Sequence, residues 1–399
     1  MSNLFLSPEQ ISTYLRDGIL VVDNLLSSSE TVEAQTSLAK TLLNDLNVDI
    51  SNLEETGHNL TKASSTNGAG GVLDIFYPEW KMNIATNEQL FRMTCQLWKE
   101  AYCNGDTEED VRWHPYGTFD CNRGYMYVDR IGFRLPSKLA ESIGERQLSN
   151  SSKATTNAAT TSSKKQKNRK KSRAIQRSLT PHFDLCPETY QDATNKNKWR
   201  PIQCFVSLTD NLSPNTGGFE CCPGFHREFH SWVQRGRRLS NNDEDGEIAV
   251  ENNDMTSPPK QQPCVGEYTH VHDRELMKRV QHIPVKAGSV VFWDNRLPHG
   301  NSYRNDNNYY DPTISSSTSL LDSCGARAVV YCSFLPDVAI NREFVERQLI
   351  DWKLGRAPRV GDRWIKQDDE DTDVDELRGN EMELNLSDLG RKLIGLEKW

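Results

Sequence analysis

The sequence predicts an all-β core with flanking helices, arranged as a sandwich or a closed jelly roll of two sheets. Three observations support this class. Short apolar runs separated by turns rich in Gly and Pro fill the middle of the chain. These runs do not alternate with helical patterns, as the strands of a parallel α/β sheet would. Helical patterns lie instead before and after the middle, and many short strands joined by such turns are typical of sandwiches and jelly rolls.

The N-terminal part of the chain shows helix and strand signals in order. Ser7 is placed as an N-cap, with Pro8 at the first helical position and Gln10 positioned to complete a capping box. This helix should end before Gly18, and the apolar run Ile19–Val22 that follows indicates a short buried strand. Apolar spacing further along predicts two more helices, one opening at 27–30 and one over 84–101.

Strand signals dominate the middle of the chain. Apolar, β-branched or aromatic runs that indicate strands lie at 124–135, 201–209, 218–222, 280–295 and 328–334. The pair Ala287-Gly288 divides the fourth run into two strands, and a Pro-Asn-Thr-Gly-Gly turn at 214–218 joins the second run to the third. Helical patterns return after the last strand, as an amphipathic segment over 341–354 and a short helix over 386–396.

Polar segments interrupt this pattern three times, at about 145–178, 240–263 and 305–325. Their composition cannot bury enough apolar surface to form a core, so they are predicted to be insertions in loops of one domain over 1–366. An acidic linker and the C-terminal helix make up the predicted remainder, 367–399. The first insertion contains a basic cluster, 164–173, which indicates a solvated loop, a nuclear address or a nucleic-acid contact.

Charge and composition argue against several classes of protein. The formal net charge of −9 comes from mixed signs, which argues against a general nucleic-acid binder. No apolar run approaches the roughly 18 residues of a membrane-spanning helix, and we see neither a secretory signal nor a peroxisomal ending. Ten cysteines without a C-x-x-C pair favour free thiols in a reducing compartment, so we expect a cytoplasmic protein. The sequence does not indicate an oligomeric state.

The spacing His182-Phe183-Asp184 suggests metal ligands. Side chains two residues apart on a strand point to the same face, so this pair presents one nitrogen and one carboxylate together. A second histidine from a distant strand would complete the facial triad of non-haem Fe(II) oxygenases, which leaves other metal positions open. His299, which follows a predicted strand and a turn, is the candidate. Two other pairs have comparable spacing and stay open as alternatives: His226 with Glu228, and His270 with His272.

Arg327, at the start of the last predicted strand, adds a requirement for an anion. An arginine that points into the interior of a β core needs an anionic partner, because an unpaired buried charge is very costly. Guanidinium binds carboxylate through two parallel hydrogen bonds. A metal triad near such an arginine would fit 2-oxoglutarate, whose keto acid end chelates iron and whose far carboxylate would pair with the arginine.

Four passages of the sequence are similar to the phytanoyl-CoA dioxygenase (PhyH) family of Fe(II)/2-oxoglutarate oxygenases. They are the opening 6–22, the H-x-D motif at 182–184, the strand–turn–strand passage 207–226, and 288–300 together with Arg327. These passages span most of residues 5–335. The H-x-D motif alone is a weak signal, whereas the ordered set is specific.

The resemblance implies a double-stranded β-helix, the cupin-like jelly roll, flanked by helices. It implies that His182, Asp184 and His299 are the iron ligands and catalytic residues, and that an arginine anchors 2-oxoglutarate. Arg327 is preferred as the anchor because it opens a strand, while Arg304 is a rival that lies closer to the histidine in sequence.

Smaller contributions to the site also follow from the resemblance. Asn301 matches a position that makes a polar contact to the co-substrate. Tyr125, Tyr127 and Gln203 are candidates for the lining of the pocket, although aromatic residues on strands are more often part of the core.

The implied activity is hydroxylation of a small or lipid-like organic substrate with release of succinate and CO2. It would require Fe(2+), 2-oxoglutarate and O2, with ascorbate as an accessory reductant. Asp184 favours hydroxylation, because related halogenases have a small residue in place of the carboxylate. Two alternatives stay open: an oxygenase that acts on protein or nucleic acid, with the basic cluster as its docking patch, and a non-catalytic binding module of the same fold.

Overall fold

The computed structural model of the chain describes residues 5–103, 114, 116, 118–155, 174–187, 190, 198–235, 268–308, 320–358 and 385–399. Two antiparallel β-sheets form the centre, and helices from both ends of the chain pack around them. The basic cluster 164–173, the insertion 240–263 and the acidic run 367–377 lie outside the described residues. No helix within the described ranges is long and apolar enough to cross a membrane.

The first three elements follow the predicted order. Helix α1 (Pro8–Asp17) starts with the capping box, in which Ser7 accepts from the backbone N–H of Gln10 and the Gln10 side chain accepts from the backbone N–H of Ser7. Gly18 ends the helix at φ 69°, a left-handed conformation that favours glycine. Strand β1 (Ile19–Val22) follows, and helix α2 (Ser28–Leu46) opens with a second capping box.

The remaining strands form two sheets. They are β2 (Val72–Leu73), β3 (Gly124–Tyr127), β4 (Ile131–Arg134), β5 (His182–Phe183), β6 (Ile202–Ser207), β7 (Phe219–Cys221), β8 (Thr269–His270), β9 (Gln281–His282), β10 (Val290–Asp294), β11 (His299–Asn301) and β12 (Arg327–Pro336). The larger sheet has the order β1-β10-β6-β12-β4-β2, with β3 also paired to β12. The smaller sheet has the order β8-β5-β11-β7-β9.

The remaining helices are α3 (Leu53–Thr56), α4 (Glu79–Ala85), α5 (Glu88–Trp98), α6 (Ser137–Thr155), α7 (Phe229–Gln234), α8 (Arg274–Met277), α9 (Leu320–Ser323), α10 (Ala339–Lys353) and α11 (Asp388–Ile394). The single helix predicted over 84–101 is wrong in its bounds. The chain breaks after α4, because Asn87 caps a new helix by accepting from the backbone N–H of Leu90. After α5, Lys99–Cys103 forms a short stretch of π-helix.

The first predicted insertion is partly regular. Helix α6 continues to Thr155, so the expectation that periodic structure ends at residue 145 is wrong. The helix start lies against Asn305, whose carbonyl accepts from the backbone N–H of Ser137 and whose backbone N–H donates to the hydroxyl of Ser137. The third predicted insertion also ends in a helical turn, α9.

The two sheets face each other across an aromatic interior. Phe205 on the larger sheet and Phe219 on the smaller sheet have ring centroids 5.5 Å apart, and Phe219 lies 4.9 Å from the ring of Trp293. The opposite face of the larger sheet is covered by the helices, through a large cluster that includes Leu38, Phe91 and Phe334. The interior between the sheets is the space in which the candidate site lies.

Cysteine pairing differs from the prediction at one position. The free thiols within the described ranges are Cys95, Cys103, Cys121, Cys204, Cys221, Cys222, Cys324 and Cys332. Cys186 is disulfide-bonded, so the expectation of free thiols is wrong there.

Candidate metal centre

Strand pairing brings the three predicted metal ligands together. His182 on β5 lies directly opposite His299 on β11, although the two are far apart in sequence. Because side chains alternate along a strand, Phe183 points the other way and packs on Phe229, with ring centroids 5.7 Å apart. Asp184 then returns to the face that carries the histidines.

The three side chains form a compact donor set. One ligand atom from each of His182, Asp184 and His299 lies within 4.8 Å of the others. Nε2 of His182 is 3.4 Å from Oδ1 of Asp184, and Nε2 of His299 is 3.6 Å from Oδ2 of the same carboxylate. Two imidazoles and one carboxylate are the donors that suit non-haem Fe(II) and leave several coordination positions for other ligands.

Backbone carbonyls hold both imidazoles in the orientation that a metal site requires. Nδ1 of His182 lies 2.9 Å from the carbonyl oxygen of Thr180, and Nδ1 of His299 lies 3.0 Å from the carbonyl oxygen of Leu297. Each carbonyl accepts a hydrogen bond from Nδ1–H, which fixes the tautomer whose Nε2 carries a lone pair. The two Nε2 atoms therefore face the carboxylate as acceptors, and the residues present fit a divalent metal.

The carboxylate of Asp184 is held from its other side by the larger sheet. Its Oδ2 accepts from Nε2 of Gln203 at 3.1 Å and from Nη2 of Arg200 at 3.3 Å. Arg200 also donates to Asp129 at 3.2 Å, and its guanidinium carbon lies 4.4 Å from the ring centroid of Tyr127. These contacts restrict the rotation of the carboxylate and balance the charge of the arginine.

Protonation states in the site also favour metal binding. Burial alone would raise the pKa of Asp184, but the neighbouring His182 and His299 outweigh it and lower this pKa well below its ordinary value. Burial and the charge of His182 lower the pKa of His299, against the opposing effect of Asp184. A carboxylate and a neutral imidazole are the forms that bind metals.

Aromatic rings surround the histidines. Tyr268 stacks on His182 with centroids 4.5 Å apart, and Trp293 lies 5.2 Å from His299. Burial, followed by the charge of Asp184, raises the pKa of Tyr268, so its hydroxyl stays protonated. Such surfaces limit the access of water to the site.

Arg327 lies in the interior between the sheets and is 2% exposed. It shares a face of β12 with Val329 and Tyr331, which stand opposite Ser207 and Phe205 on β6. Its guanidinium carbon is 5.2 Å from the ring centroid of Phe205, and its Nη1 is buried without a hydrogen-bond partner. Within the described part of the chain, Arg327 makes no ion pair. This orphaned buried donor fits a site for an anion.

The rival arginine and the predicted polar contact are placed differently. The side chain of Arg304 is 58% exposed and lies 3.1 Å from Asp306, so it is paired at the surface. Asn301 is buried, and its amide accepts from the backbone N–H of Leu179 and donates to the carbonyl of Gly70. The anchoring role of Arg327, Arg304 or Asn301 stays a prediction, and burial favours Arg327.

The alternative histidine pairs do not join a metal cluster among the residues that the structure places. Nε2 of His226 lies 3.1 Å from the carbonyl oxygen of Leu15, which ties it to the end of α1. His270 stands opposite His182 on β8, and its Nδ1 lies 3.1 Å from the hydroxyl of Thr180.

Sequence reasoning missed Arg200 and Asp129 and placed Gln203 only as general lining. Arg200 and Asp129 carry no local signal, because they reach Asp184 through an ion pair between residues that are distant in sequence. The alternation of Gln203 and Phe205 on one face of a strand was the only available sign that Gln203 points into the interior.

Comparison with known proteins gives one family match. The model of the phytanoyl-CoA dioxygenase (PhyH) family matches residues 14–308, a range that contains the triad but ends before Arg327. No curated protein matches the chain significantly.

Two solved structures show the same overall fold at low sequence identity. The hypothetical protein JW0805 from Escherichia coli is 14% identical with a TM-score of 0.56, over 98% of this chain and 82% of that one. GlcNAc Inducible Gene 2 (DUF1479) from Candida albicans is 14% identical with a TM-score of 0.57, over 99% of this chain and 77% of that one. At this identity the likeness concerns the fold alone.

Proposed function

Because this chain belongs to the phytanoyl-CoA dioxygenase family of iron- and 2-oxoglutarate-dependent oxygenases, we propose that it hydroxylates a small or lipid-like organic substrate. The observation that carries the proposal is that two features lie between the same two sheets. One is the His-Asp-His donor set, and the other is the buried Arg327, whose Nη1 has no hydrogen-bond partner among the described residues. The donor set supplies the metal site, and the arginine supplies a partner for a carboxylate. We further propose that the two sheets are the halves of a double-stranded β-helix.

Each described residue has a defined task in this proposal. His182, Asp184 and His299 would hold Fe(II), and Arg327 would bind the far carboxylate of 2-oxoglutarate through parallel N–H donors. When bound, these groups supply the oxidation, in which substrate, 2-oxoglutarate and O2 give hydroxylated substrate, succinate and CO2. Gln203 orients the metal-binding carboxylate.

The surroundings of the site also suit a reaction that must exclude water. The rings of Phe219 and Trp293 lie 6.0 and 5.2 Å from that of His299, Phe205 packs on Phe219, and each of the three residues is less than a tenth exposed. Low polarity strengthens the ion pair between an arginine and a carboxylate and protects reactive species from side reactions.

A turnover assay tests the proposed activity. Purified protein with Fe(II), ascorbate and 2-oxoglutarate is expected to form succinate, slowly without substrate and faster with it. Mass spectrometry of cell extracts incubated with the enzyme would then identify a metabolite that gains one oxygen atom. Absence of succinate under all conditions, with iron bound, would contradict the proposal.

A second candidate is an oxygenase that acts on protein or nucleic acid, favoured by the basic cluster 164–173. Replacing its lysines and arginines by glutamine should reduce activity on such a substrate and leave substrate-free succinate formation unchanged. Unchanged activity on the macromolecule would exclude a docking role for the cluster. A non-catalytic module is the weakest alternative, because the complete donor set is retained.

The proposal also includes the organisation and location of the protein. One catalytic domain would span 1–366, and a linker with the C-terminal helix would form 367–399. A cytoplasmic location is proposed from the free thiols of eight described cysteines, which fit a reducing compartment.

A further inference from the structure

A second buried arginine lies directly beside the predicted anchor of the co-substrate. Arg134, the last residue of β4, stands opposite Arg327 in the antiparallel register of β4 and β12. Paired residues of antiparallel strands project to the same face, with Cβ atoms about 5 Å apart. Arg134 is 3% exposed and Arg327 is 2% exposed, so both guanidinium groups are removed from solvent.

Neither arginine has an anionic partner among the residues that the structure describes. Arg134 donates through Nη1 to the carbonyl of Arg177 and through Nη2 to the carbonyl of Tyr303 at 3.1 Å, but its Nε is buried without an acceptor. Glu220 is the acid whose charge acts on Arg134, and it is engaged by the hydroxyl of Ser302 at 2.8 Å.

Two adjacent buried positive charges are unfavourable unless an anion joins them. Burial, followed by the charge of Arg327, lowers the pKa of Arg134 to about 10. Guanidinium groups are charged in proteins, so the two repel each other in a medium of low polarity. Neutral carbonyls satisfy two donors of Arg134 but do not balance its charge.

We propose that Arg134 and Arg327 together form the binding site for the far carboxylate of the co-substrate, so that this pocket selects a dianionic keto acid. The inference rests on the proposed function. Arg327 supplies the free donors, and Arg134, held in place by the carbonyls of Arg177 and Tyr303, supplies a second positive charge and its Nε–H.

Binding of two keto acids to the metal-loaded protein tests this assignment. 2-Oxoglutarate carries the far carboxylate, whereas 2-oxovalerate has the same keto acid end and a methyl group in its place. Calorimetry under anaerobic conditions with Fe(II) would give both affinities. Arg134→Gln is expected to weaken 2-oxoglutarate binding about tenfold, the scale of one charge-assisted hydrogen bond, and to leave 2-oxovalerate binding unchanged.

Arg134→Lys is the second variant, in case the glutamine variant does not fold. It keeps the charge but loses the planar fork, so we expect a smaller loss that is again confined to 2-oxoglutarate. Arg130→Gln is the matched control, because Arg130 precedes the same strand and pairs with Asp74 at 2.8 Å. The control should bind both acids like the wild type.

The possible results separate this inference from the proposed function. Equal weakening of both acids, or unchanged 2-oxoglutarate affinity in a folded Arg134 variant, would overturn the two-arginine site while the activity still stands. If the wild-type protein with bound metal does not bind 2-oxoglutarate at all, the proposed function itself fails.

Discussion

Asp129 controls the charge beside the metal ligands without touching them. It accepts from Arg200 at 3.2 Å, and Arg200 in turn donates to Asp184 at 3.3 Å. Asp129→Asn would remove one of the two carboxylate charges that the guanidinium of Arg200 contacts, next to a bound cation. We expect the affinity for Mn(II) or Fe(II) to fall about tenfold, as for other residues that orient metal ligands.

Metal titration of the purified apoprotein measures this effect. Asp74→Asn is the matched control, because Asp74 pairs with Arg130 at 2.8 Å and its side chain is 23% exposed, against 17% for Asp129. The control should retain the wild-type affinity. Equal affinities of the Asp129 and Asp74 variants would show that Arg200 does not depend on its counter-charge.

The pair His182 and Asp184 and the pair His226 and Glu228 have the same spacing but are predicted to differ in function. His182→Ala removes a donor of the triad, so we expect succinate formation to fall to background while the fold is retained. His226→Ala should keep the activity and reduce the free energy of unfolding by about 1–2 kcal/mol, because it removes a buried hydrogen bond to Leu15.

Succinate assays and urea denaturation of both variants provide the check. His226 packs closely on Gly18, so that a Cβ added at residue 18 would lie 2.5 Å from Nδ1 of His226. This packing against the end of α1 is a structural role that needs no metal. Loss of activity in the His226 variant, together with retained activity in the His182 variant, would mean that the wrong pair was assigned.

At the residue scale, the sequence allowed prediction of the three residues that the fold brings together, but not of the residues that hold them in place. His182 and Asp184 were recognisable because their spacing has a direct consequence on a strand, and His299 because a strand and turn precede it. Arg200, Asp129 and Arg134 reach the site through contacts with residues distant in sequence, and isolated charged residues have many other uses. Their positions depend on strand register, which a single sequence does not determine.

At the scale of elements, the turn between β10 and β11 positions His299. Asp294 accepts from the backbone N–H and from Nε of Arg296 through Oδ1, and from Nη2 of Arg296 at 2.6 Å through Oδ2. The hydroxyl of Tyr102 also donates to Oδ2 at 2.6 Å. This buried network holds Leu297, whose carbonyl orients the imidazole of His299.

Asp294→Asn is therefore expected to destabilise the protein strongly. It removes the carboxylate charge that pairs with the buried guanidinium of Arg296, and breaking a buried pair costs about 3 kcal/mol. Urea denaturation at pH 7 would measure the loss. Glu275→Gln, which breaks an exposed pair with Lys278, is the control and should cost less than about 0.5 kcal/mol. Similar costs for both variants would contradict a structural role for the turn.

The same network predicts a dependence of stability on pH. Burial would raise the pKa of Asp294, but Arg296 outweighs burial and lowers this pKa from its ordinary value of 3.8. A carboxyl whose pKa is lowered by folding stabilises the protein above its unfolded pKa, and this contribution is lost as the pH falls through the folded pKa. The stability difference between wild type and Asp294→Asn should thus be constant down to about pH 4 and shrink below it. A difference that is largest in acid would contradict this.

Local capping signals explain which elements the sequence predicted well. The Ser7 and Ser27 caps fixed the starts of two helices, because the capping box satisfies backbone donors within four residues. The helix predicted over 84–101 had wrong bounds because its apolar stripe continued across the cap at Asn87. Helix α6 was missed because its polar second half has the composition of a loop.

At the scale of the whole molecule, the last residues of the chain complete the main core. Leu393 and Ile394 of α11 are fully buried in the cluster between the larger sheet and the helices. Trp399 stacks on Phe91 with centroids 5.6 Å apart and donates from Nε1 to the carbonyl of Gly124 at 2.8 Å. The sequence predicted the helix from its pattern, but its docking on β3 joins residues 275 positions apart and has no local signal.

Trp399→Ala should therefore lower the stability of the whole domain without affecting its chemistry. Loss of the stacked ring is expected to cost about 2 kcal/mol, less than for a fully buried tryptophan because Trp399 is only half-buried. Lys398→Ala, a change at the exposed neighbouring position, should stay within about 0.5 kcal/mol of wild type. Urea denaturation measures the stability of both variants. Metal titration should give equal affinities for the wild type and the two variants, because Trp399 packs on the helical side of the larger sheet, whereas the triad lies on its other side. Wild-type stability in the Trp399 variant would show that the C-terminal residues do not contribute to the core of the domain. A loss of metal affinity at unchanged stability would show that the two sides of the sheet are coupled.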